Sequence, residues 1–104
     1  MLTVAETAAF TKTSGEIWSE EERMAFIEWI AANPQAGDVI QGSGGLRKVR
    51  RSRAGMGKRG GTRVITYALM DDGTVWLLIA YTKAKFDNLP LAFLNALKKE
   101  MLNG

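Results

Sequence analysis

Thr62-Arg63-Val64-Ile65-Thr66-Tyr67-Ala68-Leu69-Met70-Asp71-Asp72-Gly73-Thr74-Val75-Trp76-Leu77-Leu78-Ile79-Ala80-Tyr81 is the stretch that decides how this chain folds. Thr62 to Met70 is rich in β-branched and aromatic side chains, which suit a pleated surface. Asp71-Asp72-Gly73 is turn chemistry between two strand-length runs, so the two form a hairpin. Val75 to Tyr81 is apolar at every position. A strand that is apolar on both faces is covered on both sides, which places it in the middle of a sheet. This is also the longest apolar run in the chain, and it is far too short to cross a bilayer as a helix.

Upstream of the hairpin, Leu46 to Arg51 reads as a third strand carrying charged side chains on both faces. Ser52 to Gly61, basic and with four glycines, is the loop that joins it to the hairpin. Gln35 to Gly45 reads as a loop ending in Gly42-Ser43-Gly44-Gly45. Before it, Ser19-Glu20-Glu21-Glu22 marks a helix start. Ser19 can cap the first turn, Glu22 can return the bond, and three acids suit the positive end of the helix dipole. That helix is expected to reach Ala32 and to stop at Asn33-Pro34. Phe26, Ile27 and Ile30 form its inner stripe, with Trp29 at the border and Arg23 close to it. Leu2 to Glu6 alternates like a short strand. Ala8 to Trp18 holds a short helix at most, since Thr11, Thr13, Ser14 and Gly15 are poor helix formers.

Downstream, a helix begins at about Pro90, with Phe93, Leu94, Leu97 and Met101 as its inward face and Lys98 and Lys99 near its negative end. Trp18, Trp29 and Trp76 are expected in the core. The order is strand, helices, three-stranded meander, helix. It describes one α+β domain over residues 1 to 104, a small, mainly antiparallel sheet with N-terminal helices and a C-terminal helix, and with the helices on one side.

Composition narrows the chemistry. In 104 residues, 46% hydrophobic and 24% charged, there is neither cysteine nor histidine. Disulfides, thiolate nucleophiles and Cys or His metal sites are excluded, and so is the usual neutral-pH general base. Catalysis, if any, rests on Lys, Arg, Tyr, Ser, Thr, Asp or Glu, and no metal or other cofactor is expected. No basic region followed by an apolar stretch opens the chain, so a cytoplasmic location is expected and no membrane partner. The net charge of +3 hides a lopsided distribution. Val39 to Met70 holds eight cations and no acid, whereas the rest of the chain carries a balance of −5. Such a block suits a polyanion partner, or else a solvated loop.

Four patterns occur in order: Ala32-Asn33-Pro34 with Gly37-Asp38-Val39-Ile40; Gly44-Gly45-Leu46-Arg47-Lys48-Val49-Arg50; Gly57-Lys58-Arg59-Gly60-Gly61-Thr62-Arg63-Val64-Ile65-Thr66-Tyr67; and Trp76-Leu77-Leu78-Ile79-Ala80-Tyr81-Thr82-Lys83-Ala84-Lys85 before an amphipathic helix. Together they resemble the RelE/ParE superfamily of toxins from type II toxin–antitoxin modules, and within it the HigB-like branch. The resemblance implies a ribosome-dependent mRNA endoribonuclease whose sheet presents a basic face to RNA. It places Lys48 and Arg50 as the basic strand pair, Arg63 as the arginine after the basic loop, and Lys83 at the end of the last strand, with Tyr81 beside it. Arg47, Arg51, Arg53, Lys58, Arg59 and Lys85 are the accompanying candidates for RNA binding. It also implies a cognate antitoxin, usually a helix-turn-helix protein that contacts operator DNA itself. The chain departs from the family pattern in having no tyrosine in or near its C-terminal helix. Arg51 and Arg53 also leave the register of the basic strand open.

Cleavage by attack of the 2′-hydroxyl on the adjacent phosphorus needs in-line geometry, a base, charge stabilisation and an acid. Arginine forks suit the phosphate, a role for Arg50 and Arg63. Lys48 is the candidate base, if crowding by Arg47, Arg50 and Arg51 favours its neutral form. Lys83 or Tyr81 is the candidate acid. Two other readings stand beside this one: a ParE-like toxin that inhibits DNA gyrase by contact, and an inactive module binding antitoxin or nucleic acid. They are separated by one geometric question, whether Lys48, Arg50, Arg63 and Lys83 converge on one face.

Overall fold

A computed structural model describes residues 3–51, 61–69, 71–86 and 88–103. The expected strand residue Leu2, most of the basic loop, with Arg53, Lys58 and Arg59, and Met70 lie outside the described residues. β4 (Thr62–Leu69) and β5 (Thr74–Thr82) are the two arms of the hairpin, joined through Asp71-Asp72-Gly73. There the Asp72 carboxylate accepts the Thr74 N–H. β3 (Arg47–Arg51) pairs antiparallel with β4. β1 (Thr3–Glu6) lies parallel to β5 on its other side. The sheet order is β1-β5-β4-β3-β2, so β5 is interior, as its apolar faces require.

β2 is a two-residue strand, Asp38–Val39, inside the segment read as loop. It pairs with Lys48 and Arg47 of β3. A pairing this short has no periodicity to betray it. It is closed by Ile40 N–H on the Leu46 carbonyl and by the buried Ser43 hydroxyl, which accepts the Leu46 N–H.

α1 (Ala8–Ile17) is a full ten residues despite its weak propensity. Its threonines serve the sheet. β1 ends opposite Leu77, which leaves the edge of β5 uncovered from there on. Thr7, the N-cap, donates to the Leu78 carbonyl, and the Thr13 hydroxyl accepts the Ala80 N–H. α2 (Glu20–Ala32) begins with the expected capping box between Ser19 and Glu22. Arg23 sits beside the apolar stripe because it reaches across to β1, where its guanidinium binds Glu6 at 2.7 Å, and also Glu20 at 2.6 Å.

The helices do not share one side of the sheet. Phe10 and the α2 residues Phe26 and Ile30, with Trp18 between the helices, pack on Val49, Val64, Val75, Leu77 and Ala80. α3 (Leu91–Asn103) packs through Leu94, Leu97 and Met101 on Leu46, Ile65, Leu78 and Tyr81. Val64 and Ile65 are neighbours on one strand and so face opposite ways. α3 therefore covers part of the face opposite α1 and α2. Phe93, expected on its inward face, is 42% exposed, and Lys98 points inward in its stead. Trp18 is buried, while Trp29 and Trp76 are half-buried.

Candidate functional site

Register decides which basic residues meet. Arg50 lies opposite Arg63, and Arg63 opposite Tyr81. Cross-strand partners share a face, so these three form one row across β3, β4 and β5. One step along, Lys48 lies opposite Ile65, and Ile65 opposite Ile79, on the same face. The register shifts after Ile65, so that Thr66 pairs with Leu77 and Leu78 is the extra residue of a bulge. That bulge puts Leu78, Ile79 and Tyr81 against the α3 side while Leu77 and Ala80 stay on the other.

The row has a floor and a rim. Arg63 is 7% and Tyr81 3% exposed, whereas Arg50 is open to solvent and Lys48 half-buried. Burial pushes the Tyr81 phenol above its ordinary value of 10.0, against the opposing pull of Arg63 and Arg50. With its proton held more tightly than usual, Tyr81 is a neutral hydroxyl at neutral pH, able to give a proton and not to take one. The edge of the Phe86 ring meets Tyr81 with the centroids 6.3 Å apart, and the ammonium of Lys85 lies 5.7 Å from Phe86. Beside them, Thr13, Ile79, Tyr81, Lys85 and Phe86 line an open cavity of about 320 Å³.

Arg47 and Arg51 are not brought to this face. They alternate with Lys48 and Arg50, and share the side of buried Val49. The Arg51 guanidinium lies 4.5 Å from the Trp29 ring of α2, and Arg47 donates to the Gly37 carbonyl at 3.2 Å. Of the three arginines expected to crowd Lys48, Arg50 alone shares its face. Lys83 is exposed in the turn that follows β5, beyond the end of the row.

Two features escaped the sequence. Lys48 donates to the Asn88 side-chain carbonyl at 3.0 Å, a contact across forty residues with no local signal. Lys98 donates to the carbonyls of Ser43 and Gly44 at 3.1 and 2.8 Å, with its ammonium 4.8 Å from the Tyr67 ring. This one had a signal, because Lys98 stands four residues after Leu94 and so on the same helix face. Among the described residues, no group of three or more acidic side chains could hold a metal ion, and no helix is long and apolar enough to cross a membrane.

No family model matches the chain. Two structures of the E. coli toxin RelE are among the solved structures that share its fold. A free-state double arginine-to-alanine mutant of the E. coli toxin RelE is 9% identical at a TM-score of 0.64, covering 93% of this chain and 96% of that one. The isolated E. coli RelE toxin is 11% identical at a TM-score of 0.61, covering 95% and 98%. The fold is RelE-like over almost the whole length of both partners.

Proposed function

We propose that this protein is the toxin of a type II toxin–antitoxin module and that it cuts messenger RNA in the ribosome. The observation that carries the reading is that three of the four residues asked about, Lys48, Arg50 and Arg63, share one sheet face with Tyr81 in a RelE-like fold, while Lys83, the fourth, stands beyond the end of the row. A toxin that acts by contact on gyrase has no need of that convergence.

The chemistry follows from the residue types. Arg50 and Arg63 hold the non-bridging oxygens of the scissile phosphate and stabilise the extra charge of the phosphorane. The 2′-oxygen bonds to phosphorus, its proton passing to the lone pair of Lys48 in its neutral amine form, as the P–O5′ bond breaks. The leaving 5′-oxygen takes its proton from Tyr81, the neutral hydroxyl of the row, with Lys83 the more distant alternative. Lys85 and Phe86 flank the row, where a cation and an exposed ring suit a flanking nucleotide. Arg53, Lys58 and Arg59 belong to the basic block and would add phosphate contacts. Bending of the message by the ribosome would supply the in-line geometry that these residues do not. An antitoxin, of the helix-turn-helix type in the HigB-like branch, is the expected protein partner, and contact with operator DNA would pass through it.

The test is cleavage of message on programmed ribosomes and of the same message free, by wild type and by Arg50→Ala, which is exposed and leaves the core intact. Cuts that need ribosomes and fall by about a hundredfold in the variant are expected. Folded wild type that cuts neither substrate sinks the nuclease reading.

A further inference from the structure

We propose that Asn88 is a positioning residue that aims the Lys48 Nζ at the row of Arg50, Arg63 and Tyr81; the proposal rests on the nuclease reading above. Lysine is a point charge on a flexible four-carbon stem, and a half-buried lysine without a partner samples many rotamers. Lys48 has a partner: its Nζ donates to Asn88 Oδ1 at 3.0 Å. With Nζ as donor it is the carbonyl end of the amide that faces it, and the lone pair of the neutral amine is left for the incoming proton.

Asn88 itself is exposed, but the described residues near it on either side, Phe86 and Leu89, make contacts with the core. Two residues before it, Phe86 sets its ring edge on Tyr81, itself a member of the row. One residue after it, Leu89 packs against the cluster of Leu46, Ile65, Leu78, Tyr81 and Leu94. α3 begins directly beyond, its first turn closed by Leu94 N–H on the Pro90 carbonyl. The helix is fastened at its other end too, where Lys98 bonds the Ser43 and Gly44 carbonyls of the turn that leads into β3. The strand carrying Lys48 and the segment carrying Asn88 are thereby referenced to each other at two points. The hydrogen bond takes up one N–H of Lys48 and so fixes the directions in which its remaining positions point.

A double-mutant cycle tests this. Single-turnover cleavage on programmed ribosomes is compared for wild type, Asn88→Ala, Lys48→Met and the double variant. The expected result is a loss of about tenfold for Asn88→Ala, in rate and not in the half-saturating ribosome concentration, and no further loss on the Lys48→Met background. Equal losses on both backgrounds, or none on either, overturn the proposal, because a merely structural residue acts whether or not Lys48 is present. The same variants labelled at the lysine ε-carbon give a readout independent of activity. The Lys48 ε-carbon order parameter should fall in Asn88→Ala, and an unchanged value overturns the proposal even if cleavage has slowed. Wild type that cuts no message overturns the nuclease reading and the catalytic sense of the contact with it, while the order parameter still decides whether Asn88 orders Lys48.

Discussion

Arg50 and Arg51 are adjacent arginines on one strand, yet strand alternation sends them to opposite faces and gives them different work. Arg50 joins the row with Arg63 and Tyr81, while Arg51 covers the Trp29 ring. Arg50→Ala should therefore cost about a hundredfold in cleavage with little change in stability. Arg51→Ala should lower stability by about 0.5–1 kcal/mol through the lost cation–π contact and change cleavage at most a few-fold. Urea unfolding and ribosome cleavage on the same two variants check this, and equal losses of activity would remove the two-face argument. Tyr81 supplies a pH signature. The folded protein holds its phenolic proton more tightly than the unfolded chain does, because burial raises it above 10.0. That contribution to stability is complete below about pH 10 and is lost as pH rises through the raised folded value. Urea midpoints from pH 8 to 11 should fall less steeply for Tyr81→Phe than for wild type. The side of each arginine was legible in principle, because Val49, the apolar residue of β3, marks the covered face. The bulge at Leu78 was not legible, since nothing in an all-apolar run says which residue is the extra one.

Elements differ in how far local chemistry specifies them. α2 is written into its own sequence by the Ser19–Glu22 box and by Asn33-Pro34 at its end. α1 is less so: Thr7 caps it locally by accepting the Phe10 N–H, but Thr7 and Thr13 also bond the edge of β5, about seventy residues away, and that supports a segment of weak helix formers. β2 depends on a close approach. Gly37 has φ +91°, and a Cβ there would stand 2.5 Å from the Lys48 carbonyl oxygen. Backbone at that distance does not yield as the end of a side chain would. Gly37→Ala should thus cost about 2 kcal/mol or more, from strain and from displacement of β3. It should reduce cleavage as well, because β3 carries Lys48 and Arg50. Ser19→Ala is the counterpart. It should cost about 1 kcal/mol in urea unfolding and leave cleavage unchanged, since the cap it removes lies on the helix face away from the row. A Gly37→Ala protein of wild-type stability and activity would show that β2 does not set the position of β3.

At the scale of the molecule, the sheet is a wall between two cores of unequal size. The cluster under α1 and α2 contains Phe10, Trp18, Phe26 and Ile30, whereas among the described residues α3 contributes Leu94 alone as a buried side chain to the other. β5 feeds both, through Leu77 and Ala80 on one face and Leu78 and Tyr81 on the other. Arg50 and Lys48, the accessible end of the row, lie on the part of the second face that α3 leaves open, so one helix both completes a core and borders the candidate site. Sub-global opening follows the lesser burial. Native-state hydrogen exchange should find α3 amides opening at a lower free energy than those of β4 and β5. Leu94→Ala should lower protection in α3 more than in the strands. Ile30→Ala, a truncation in the larger core costing about 2–5 kcal/mol, should lower protection everywhere alike. If Leu94→Ala instead lowered α3 and β5 by the same amount, the two cores would be one cooperative unit. The helix that carries Lys98 and follows Asn88 could then not loosen without loss of the sheet. Separate responses would make the geometry at Lys48 adjustable from the α3 side through the Asn88 contact, and that at Tyr81 through its packing on Leu94, while Arg50 and Arg63 stay fixed in the strands.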